Sequence, residues 1–239
     1  MAQRKQKKQQ APQDSTSQLF KNVQPINPLT ENQASFVEST ETSLHQLLLG
    51  YPGTGKTYLA LHAALLDLKN FPDKYRKIII VRSPIQTTQI GHTPGTVQEK
   101  AAMYEGPYPS LVNKICKRGD AYEILKKKGI IEFELTTFLR GDTFDNAIII
   151  VDEVQNLTAH SADTVLTRTG RNSKLIMCGD IQQRDLTRNS ERDIEKFLTV
   201  VGTLTNRFNF TYFTVYDIVR SGLVSDYIKA KCKLFEDGY

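Results

Sequence analysis

The chain has 239 residues, a formal net charge of +5 and 39% hydrophobic residues, which fits one large domain with its own core. Its three cysteines form no C-x-x-C pair and its four histidines lack metal-ligand spacing. This excludes a disulfide framework or zinc cluster and favours the reducing cytoplasm. The sequence offers neither an apolar run of about 18 residues nor, in its first 18 residues, an apolar signal segment. We therefore expect no membrane association.

The positive charge is concentrated at the beginning of the chain. Residues 1–24 carry five basic residues against Asp14 alone, and the remainder is nearly neutral. We expect a disordered, basic polar tail over 1–24 and a single domain over 25–239. Such a tail either solvates the chain or contacts phosphates of a nucleic acid.

Short apolar runs alternate with helical stretches from residue 44 onward. A short helix is predicted over 29–37 and a buried helix over 58–68. Strands are predicted over 44–49, 78–81, 130–133, 147–151, 175–178 and 208–215. The middle four are almost continuously apolar, as expected for strands covered on both faces, whereas 208–215 alternates and belongs nearer a sheet edge. This order predicts a doubly wound α/β domain with a mostly parallel sheet.

One connection does not fit this alternation. Residues 83–109 contain four prolines and three glycines, which predicts a long excursion. A single short helix is expected inside it, because Thr96 and Glu99 have the spacing of a capping box. Connections of this length inside a compact domain are usually functional.

A phosphate-binding motif, the P-loop, lies between the first predicted strand and the buried helix. The eight residues match G-x-x-x-x-G-K-[ST] in full: Gly50, Tyr51, Pro52, Gly53, Thr54, Gly55, Lys56 and Thr57. Glycines let backbone N–H groups converge on phosphate oxygens, and the helix N-terminus favours negative charge. We expect Lys56 to reach the β- and γ-phosphates and the Thr57 hydroxyl to ligate Mg²⁺.

Two further strands end in polar residues suited to nucleotide chemistry. Asp152 and Glu153 follow the run at 147–151, at the strand end where open α/β sheets bind ligands. Asp152 is predicted to hold Mg²⁺ from a neighbouring strand, and Glu153 to polarise the attacking water. Gln183, in the G-D-x-x-Q turn after 175–178, is the candidate sensor of the γ-phosphate.

These motifs together resemble the PhoH-like family of P-loop ATPases, which is related to the first RecA-like domain of superfamily-one helicases. The resemblance runs from about residue 29 to 231. It is carried, besides the P-loop, by residues 82–84 with 90–95, 139–141, 152–156, 166–170 and 217–220. The chain departs from the family pattern at Ser83, which separates Arg82 from Pro84, and at Val154, where alanine is usual.

The resemblance implies an Mg²⁺-dependent ATPase coupled to RNA or single-stranded DNA. Gln33 stands where such ATPases read adenine, which favours ATP over GTP. The sequence contains no second RecA-like domain, so the arginine that completes the site is expected from this chain or a neighbouring copy. Arg220 is the first candidate and Arg168 the second, and a shared site implies a homo-oligomer, for example a ring.

Two other functions compete with this interpretation. A nucleotide-gated protein-interaction module would bind ATP with little turnover. A small-molecule kinase is disfavoured, because Asp152-Glu153 with Gln183 suits activation of water better than activation of an acceptor hydroxyl.

Overall fold

The computed structural model describes residues 15–42, 44–84, 97–139, 141, 143–180 and 188–236. Its strands are β1 (His45–Gly50), β2 (Lys77–Arg82), β3 (Ile131–Leu135), β4 (Ala147–Asp152), β5 (Lys174–Gly179) and β6 (Phe208–Phe213). Its α-helices are α1 (Ser15–Asn22), α2 (Glu31–Ser39), α3 (Lys56–Asn70), α4 (Val97–Glu105), α5 (Pro107–Ile115), α6 (Ala121–Lys127), α7 (Ala159–Thr167), α8 (Arg188–Gly202) and α9 (Gly222–Glu236).

The six strands form one sheet in the order β3-β2-β4-β5-β1-β6. Every pairing is parallel, so the predicted doubly wound α/β domain is confirmed. The predicted position of the last strand near the sheet edge is also confirmed, since β6 ends the order of the described strands, beside β1.

Alternating side chains of the strands enter two separate cores. Ile78, Ile80 and Ile150 pack toward α1, α3, α5 and α6, while Ile79 and Val151 pack toward α7 and α8. All six residues of β4 are buried. The unbroken apolar runs that predicted two-sided strands therefore reflect helices on both faces of the sheet.

The predicted disordered tail is wrong over residues 15–24. Ser15–Asn22 forms α1, whose Leu19 and the following Val23 are 1% and 0% exposed. Lys69 on α3 donates a 2.6 Å hydrogen bond to the carbonyl of Val23. Two apolar side chains four positions apart anchor this segment to the core despite its polar composition. Residues 1–14 lie outside the described part of the chain.

The excursion at 83–109 contains more helix than predicted. The helix expected after Thr96 is present as α4 (Val97–Glu105), although Thr96 itself lies outside the described residues. Pro107, interpreted as part of a loop, instead begins α5. Proline is tolerated there because the first N–H groups of a helix have no intrahelical acceptor. Among the described residues, no helix is long and apolar enough to span a membrane.

Candidate active site

The P-loop connects β1 to α3 at the carboxyl edge of the sheet. Gly55 has a φ of 88° and Lys56 is the first residue of α3, so the loop needs glycine to enter the helix from a left-handed conformation. Gly50 has a φ of 142°, and a Cβ atom built there would lie 2.0 Å from the carbonyl oxygen of Phe213 on β6. The first motif glycine therefore allows two strands to approach closely.

The side chain of Lys56 folds back into the P-loop. Its Nζ donates hydrogen bonds of 2.8 Å and 2.6 Å to the carbonyls of Gly50 and Tyr51. Burial lowers the pKa of Lys56, and the nearby carboxylate of Asp180 acts in the opposite direction. The ammonium is thus held where P-loop proteins bind the β- and γ-phosphates.

Thr57 and Asp152 meet as the two predicted metal ligands. The Thr57 hydroxyl donates a 2.9 Å hydrogen bond to Oδ1 of Asp152. The prediction that β4 neighbours the P-loop strand is wrong, because β5 lies between β4 and β1. Contact is possible because α3 packs across β5 and β4. A hydroxyl and a carboxylate at this distance form a hard oxygen set that fits Mg²⁺.

The two predicted acids, Asp152 and Glu153, differ in how far they are buried. Asp152 is 6% exposed, and burial, then the Glu153 carboxylate, raise the pKa of Asp152. Glu153 lies in a left-handed conformation, with φ 56° and ψ 50°. Its Oε2 accepts a 2.5 Å hydrogen bond from Nε2 of Gln155. The turn after β4 therefore leaves the Glu153 side chain 36% exposed.

Gln155 links the turn after β4 to the end of β5. While its amide nitrogen contacts Glu153, its Oε1 accepts a 2.8 Å hydrogen bond from the backbone N–H of Asp180. A Cβ atom added to Gly179, which ends β5, would lie 3.2 Å from Oε1 of Gln155. The end of β5 is therefore fixed to the Glu153 turn, and Asp180 lies at the P-loop lysine.

Gln33 contacts the P-loop from α2. Its Nε2 donates a 3.0 Å hydrogen bond to the carbonyl of Thr54, and its Oε1 accepts a 2.9 Å bond from the N–H of Leu29. Both ends of the amide are held, and each retains one further hydrogen-bonding position. The structure thus brings the predicted adenine-reading residue to the nucleotide loop.

Arg220 lies against the same loop within its own chain. The backbone N–H of Val219 donates a 3.1 Å hydrogen bond to the carbonyl of Gly53. A Cβ atom added to Gly53 would lie 2.7 Å from Cγ of Arg220. Asp217 supports this turn, because its Oδ2 accepts bonds from Asn32 and from the backbone of Thr214.

Arg168 is not brought to this site. Arg168 follows the last residue of α7, and its carbonyl accepts a 2.8 Å hydrogen bond from Phe144, ahead of β4. It therefore lies at the amino edge of the sheet, opposite the P-loop. Gln183 lies outside the described residues, so its sensor role stays a prediction.

Three residues contact the acids of the site although the sequence did not predict a role for them there. Tyr108 donates a 3.0 Å hydrogen bond to Oδ2 of Asp152, Arg82 lies 3.9 Å from Oε1 of Glu153, and Gln155 bridges two strand ends. Arg82 and Gln155 stand inside segments that carried the family resemblance, which was the available signal. Tyr108 has no comparable signal, because a tyrosine in a proline-rich stretch has no distinguishing spacing.

A parallel sheet with this loop, lysine and acidic pair at its carboxyl edge defines a nucleotide-binding P-loop NTPase. The PhoH-like protein family model matches residues 25–231. The chain therefore belongs to the PhoH-like family, as the sequence motifs predicted.

Curated relatives cover most of the chain. A PhoH-like protein of Mycobacterium bovis is 30% identical over 223 residues, which is 89% of this chain and 60% of the relative. Protein PhoH of Escherichia coli is 33% identical over 170 residues, or 70% of this chain and 48% of the relative. The chain thus spans about three fifths or less of the length of these two relatives.

Solved helicase structures show weaker likeness. The Hef helicase domain of Pyrococcus furiosus aligns with a TM-score of 0.41 and 12% identity over 76% of this chain and 37% of that chain. Pif1 helicase from Candida albicans aligns with a TM-score of 0.34 and 16% identity over 79% and 41%, respectively.

Proposed function

We propose that this protein is a cytoplasmic Mg²⁺-dependent ATPase that acts with RNA or single-stranded DNA. The observation that carries the ATPase proposal is the 2.9 Å contact between Thr57 and Asp152 beside the P-loop. It joins the phosphate loop to the acidic strand end within one site. A carboxylate and a hydroxyl placed there are the protein ligands that a nucleotide-bound Mg²⁺ requires.

The proposed roles follow from position. The loop N–H groups and Lys56 bind the phosphates, and Thr57 with Asp152 would hold Mg²⁺. When bound, that ion neutralises charge developing on the transferred phosphoryl group. Glu153 accepts the proton of the attacking water, and the free amide positions of Gln33 recognise adenine.

Arg220 is proposed to supply the completing positive charge within its own chain, because its side chain already lies along Gly53. Mixing Lys56→Ala protein with Arg220→Ala protein tests this. If Arg220 acts only in its own chain, the mixture stays inactive. Recovered activity would show that it acts on a neighbouring copy. Arg168 lies at the opposite edge of the sheet from the P-loop, so we propose a role for it only in a neighbouring copy, and Arg168→Ala is the matching variant.

We further propose that copies of this chain assemble through α9. On this helix Leu223, Tyr227 and Leu234 are 83%, 67% and 61% exposed and share one stripe. Buried Ser225 lies on the opposite side of the helix. A second copy is the favoured occupant, since α9 begins two residues after Arg220, beside the nucleotide site.

Sedimentation with ATP and Mg²⁺ tests this assembly. The double variant Leu223→Ser/Tyr227→Ser is expected to shift an oligomer toward monomer. Lys229→Ser, an exposed change off the apolar stripe, should leave the sedimentation coefficient unaltered. A wild-type protein that sediments only as monomer would contradict the proposal.

The nucleic-acid part of the proposal rests on the basic residues at 1–24 and on the family resemblance. We expect single-strand affinity that falls with rising salt, because phosphate contacts release counterions. Deleting residues 1–14 should weaken it without removing the buried part of α1. Affinity that is absent or independent of salt would contradict this half of the proposal.

Phosphate release with and without RNA and single-stranded DNA tests the enzymatic proposal. Lys56→Ala provides the blank. Wild-type turnover above this blank, increased by a nucleic acid, is the expected result. Equal and negligible rates for wild type and Glu153→Gln would instead favour a nucleotide-gated protein-interaction module.

A further inference from the structure

Both carboxylate oxygens of Asp152 are engaged by side chains from different helices. Thr57 on α3 donates to Oδ1 at 2.9 Å, and Tyr108 on α5 donates to Oδ2 at 3.0 Å. Thr57 belongs to the phosphate loop motif, but Tyr108 belongs to a segment with no part in that motif. The second hydrogen bond therefore needs its own explanation.

The phenol is held rigidly. Tyr108 is 0% exposed, and its ring lies 5.6 Å from that of Phe133 on β3. Burial, first, and the negative charge of Asp152 raise the pKa of Tyr108. The hydroxyl lies 3.0 Å from Oδ2 of Asp152 and donates to that carboxylate. Its aromatic ring has little freedom to move away from Asp152.

The preceding helix reaches the other acid through Arg82. Arg82 stands opposite Asp152 in the β2–β4 register. Its Nη1 donates to the carbonyl of Tyr104 on α4 at 3.4 Å, and its Nη2 lies 3.9 Å from Glu153. The guanidinium also lies beside the Tyr108 hydroxyl. Helix α5 thus contacts Asp152 directly, while α4 is linked to Glu153 only through Arg82 of β2.

We propose that Tyr108 is a positioning residue that fixes the carboxylate orientation of Asp152 for the nucleotide-bound metal. A carboxylate held by one hydrogen bond can rotate about its Cβ–Cγ bond, whereas bonds to both oxygens select one orientation. Partners behind a metal ligand typically influence metal affinity 10–100-fold. The inference rests on the proposed magnesium–nucleotide site.

The test compares two tyrosines that lose the same atom. Tyr108→Phe removes the hydroxyl on Asp152. Tyr122→Phe is the matched control, because Tyr122 is 1% exposed and donates instead to Glu105 at 2.6 Å. The readout is binding of a fluorescent, non-hydrolysable ATP analogue, titrated with Mg²⁺ and repeated in EDTA, with melting temperatures recorded in parallel.

Tyr108→Phe is expected to raise the Mg²⁺ concentration at half-maximal analogue binding about tenfold. Analogue affinity in EDTA should remain that of wild type, and Tyr122→Phe should change neither quantity. Tyr108→His retains a ring N–H donor, and is expected to recover part of the shift. It also provides the second variant if the phenylalanine protein folds poorly.

A Tyr108→Phe protein with lower melting temperature but an unaltered Mg²⁺ midpoint would overturn the inference, because the hydroxyl would then be merely structural. An equal shift for Tyr122→Phe would overturn it as well. Wild-type binding that does not respond to Mg²⁺ would overturn the inference together with the metal site. Absence of hydrolysis alone would contradict only the ATPase proposal, since the readout needs no turnover.

Discussion

Thr57 and Asp152 are hydrogen-bonded at 2.9 Å although 95 positions separate them along the chain. The contact spans an intervening strand, because α3 crosses β5 to reach the end of β4. The metal side of the candidate site is therefore assembled by the fold itself, with both side chains already facing each other. Preorganised ligands reduce the cost of binding an ion.

Replacing Asp152 with asparagine should separate metal binding from nucleotide binding. The amide keeps the size of the side chain but removes the charge that attracts Mg²⁺. We expect phosphate release to fall at least about 100-fold, with measurable analogue binding in EDTA. Asp163→Asn, an exposed carboxylate on α7, provides the control. Full activity of Asp152→Asn would show that the metal is held elsewhere.

Replacing Glu153 with glutamine should affect chemistry more than binding. General-base catalysis contributes about 10²–10⁴-fold, so we expect a loss of turnover in that range with little change in analogue affinity. Single-turnover phosphate release and equilibrium binding measure the two quantities. Glu41→Gln, an exposed site before β1, is the control. Equal loss of binding and turnover would point to a structural role for Glu153.

The strands and the phosphate loop could be predicted because local sequence determines them. The apolar run of β4 remains apolar throughout since both its faces are covered, and the P-loop is a contiguous motif. Strand order could not be predicted in the same way. The position of β5 between β1 and β4 depends on how helices pair across the sheet, which no single segment encodes.

The part of the site that could not be predicted from the sequence depends on packing between elements far apart in the chain. Tyr108 reaches Asp152 only because α5 packs beside α3 and β3. The prolines around it indicated loop, yet Pro107 occupies the first turn of a helix, where it loses no hydrogen bond. Likewise, the polar composition of α1 gave no sign of a helix, although Leu19 and the following Val23 are buried against the core.

The stability of the fold should decrease on mild acidification through His45. Its Nδ1 accepts a 3.0 Å hydrogen bond from the N–H of Leu175. Burial, then the positive charges of Arg207 and Lys174, lower the pKa of His45. Burial also lowers the pKa of His62. Below about pH 6.5 the unfolded imidazole takes up a proton that the folded one resists.

The free energy of unfolding is therefore expected to fall as pH decreases from about 6.5 toward the folded pKa of His45. Urea unfolding between pH 8 and 5.5 measures this slope. His45→Asn places an amide oxygen where Nδ1 accepts, and should make the slope shallower without abolishing the hydrogen bond. The same slope in both proteins would show that His45 does not contribute.

The close approach of β1 and β6 predicts a large stability difference between two glycine variants. A Cβ on Gly50 would lie 2.0 Å from the Phe213 carbonyl oxygen, at a φ of 142°. Because the obstructing atom belongs to the backbone, the strand itself must shift, and we expect Gly50→Ala to lower the free energy of unfolding by at least about 2 kcal/mol. Gly119→Ala meets no atom within 4 Å and should change it by less than about 0.5 kcal/mol. Urea unfolding of both variants measures the difference. Similar stabilities would mean that β6 does not hold the P-loop strand at this distance.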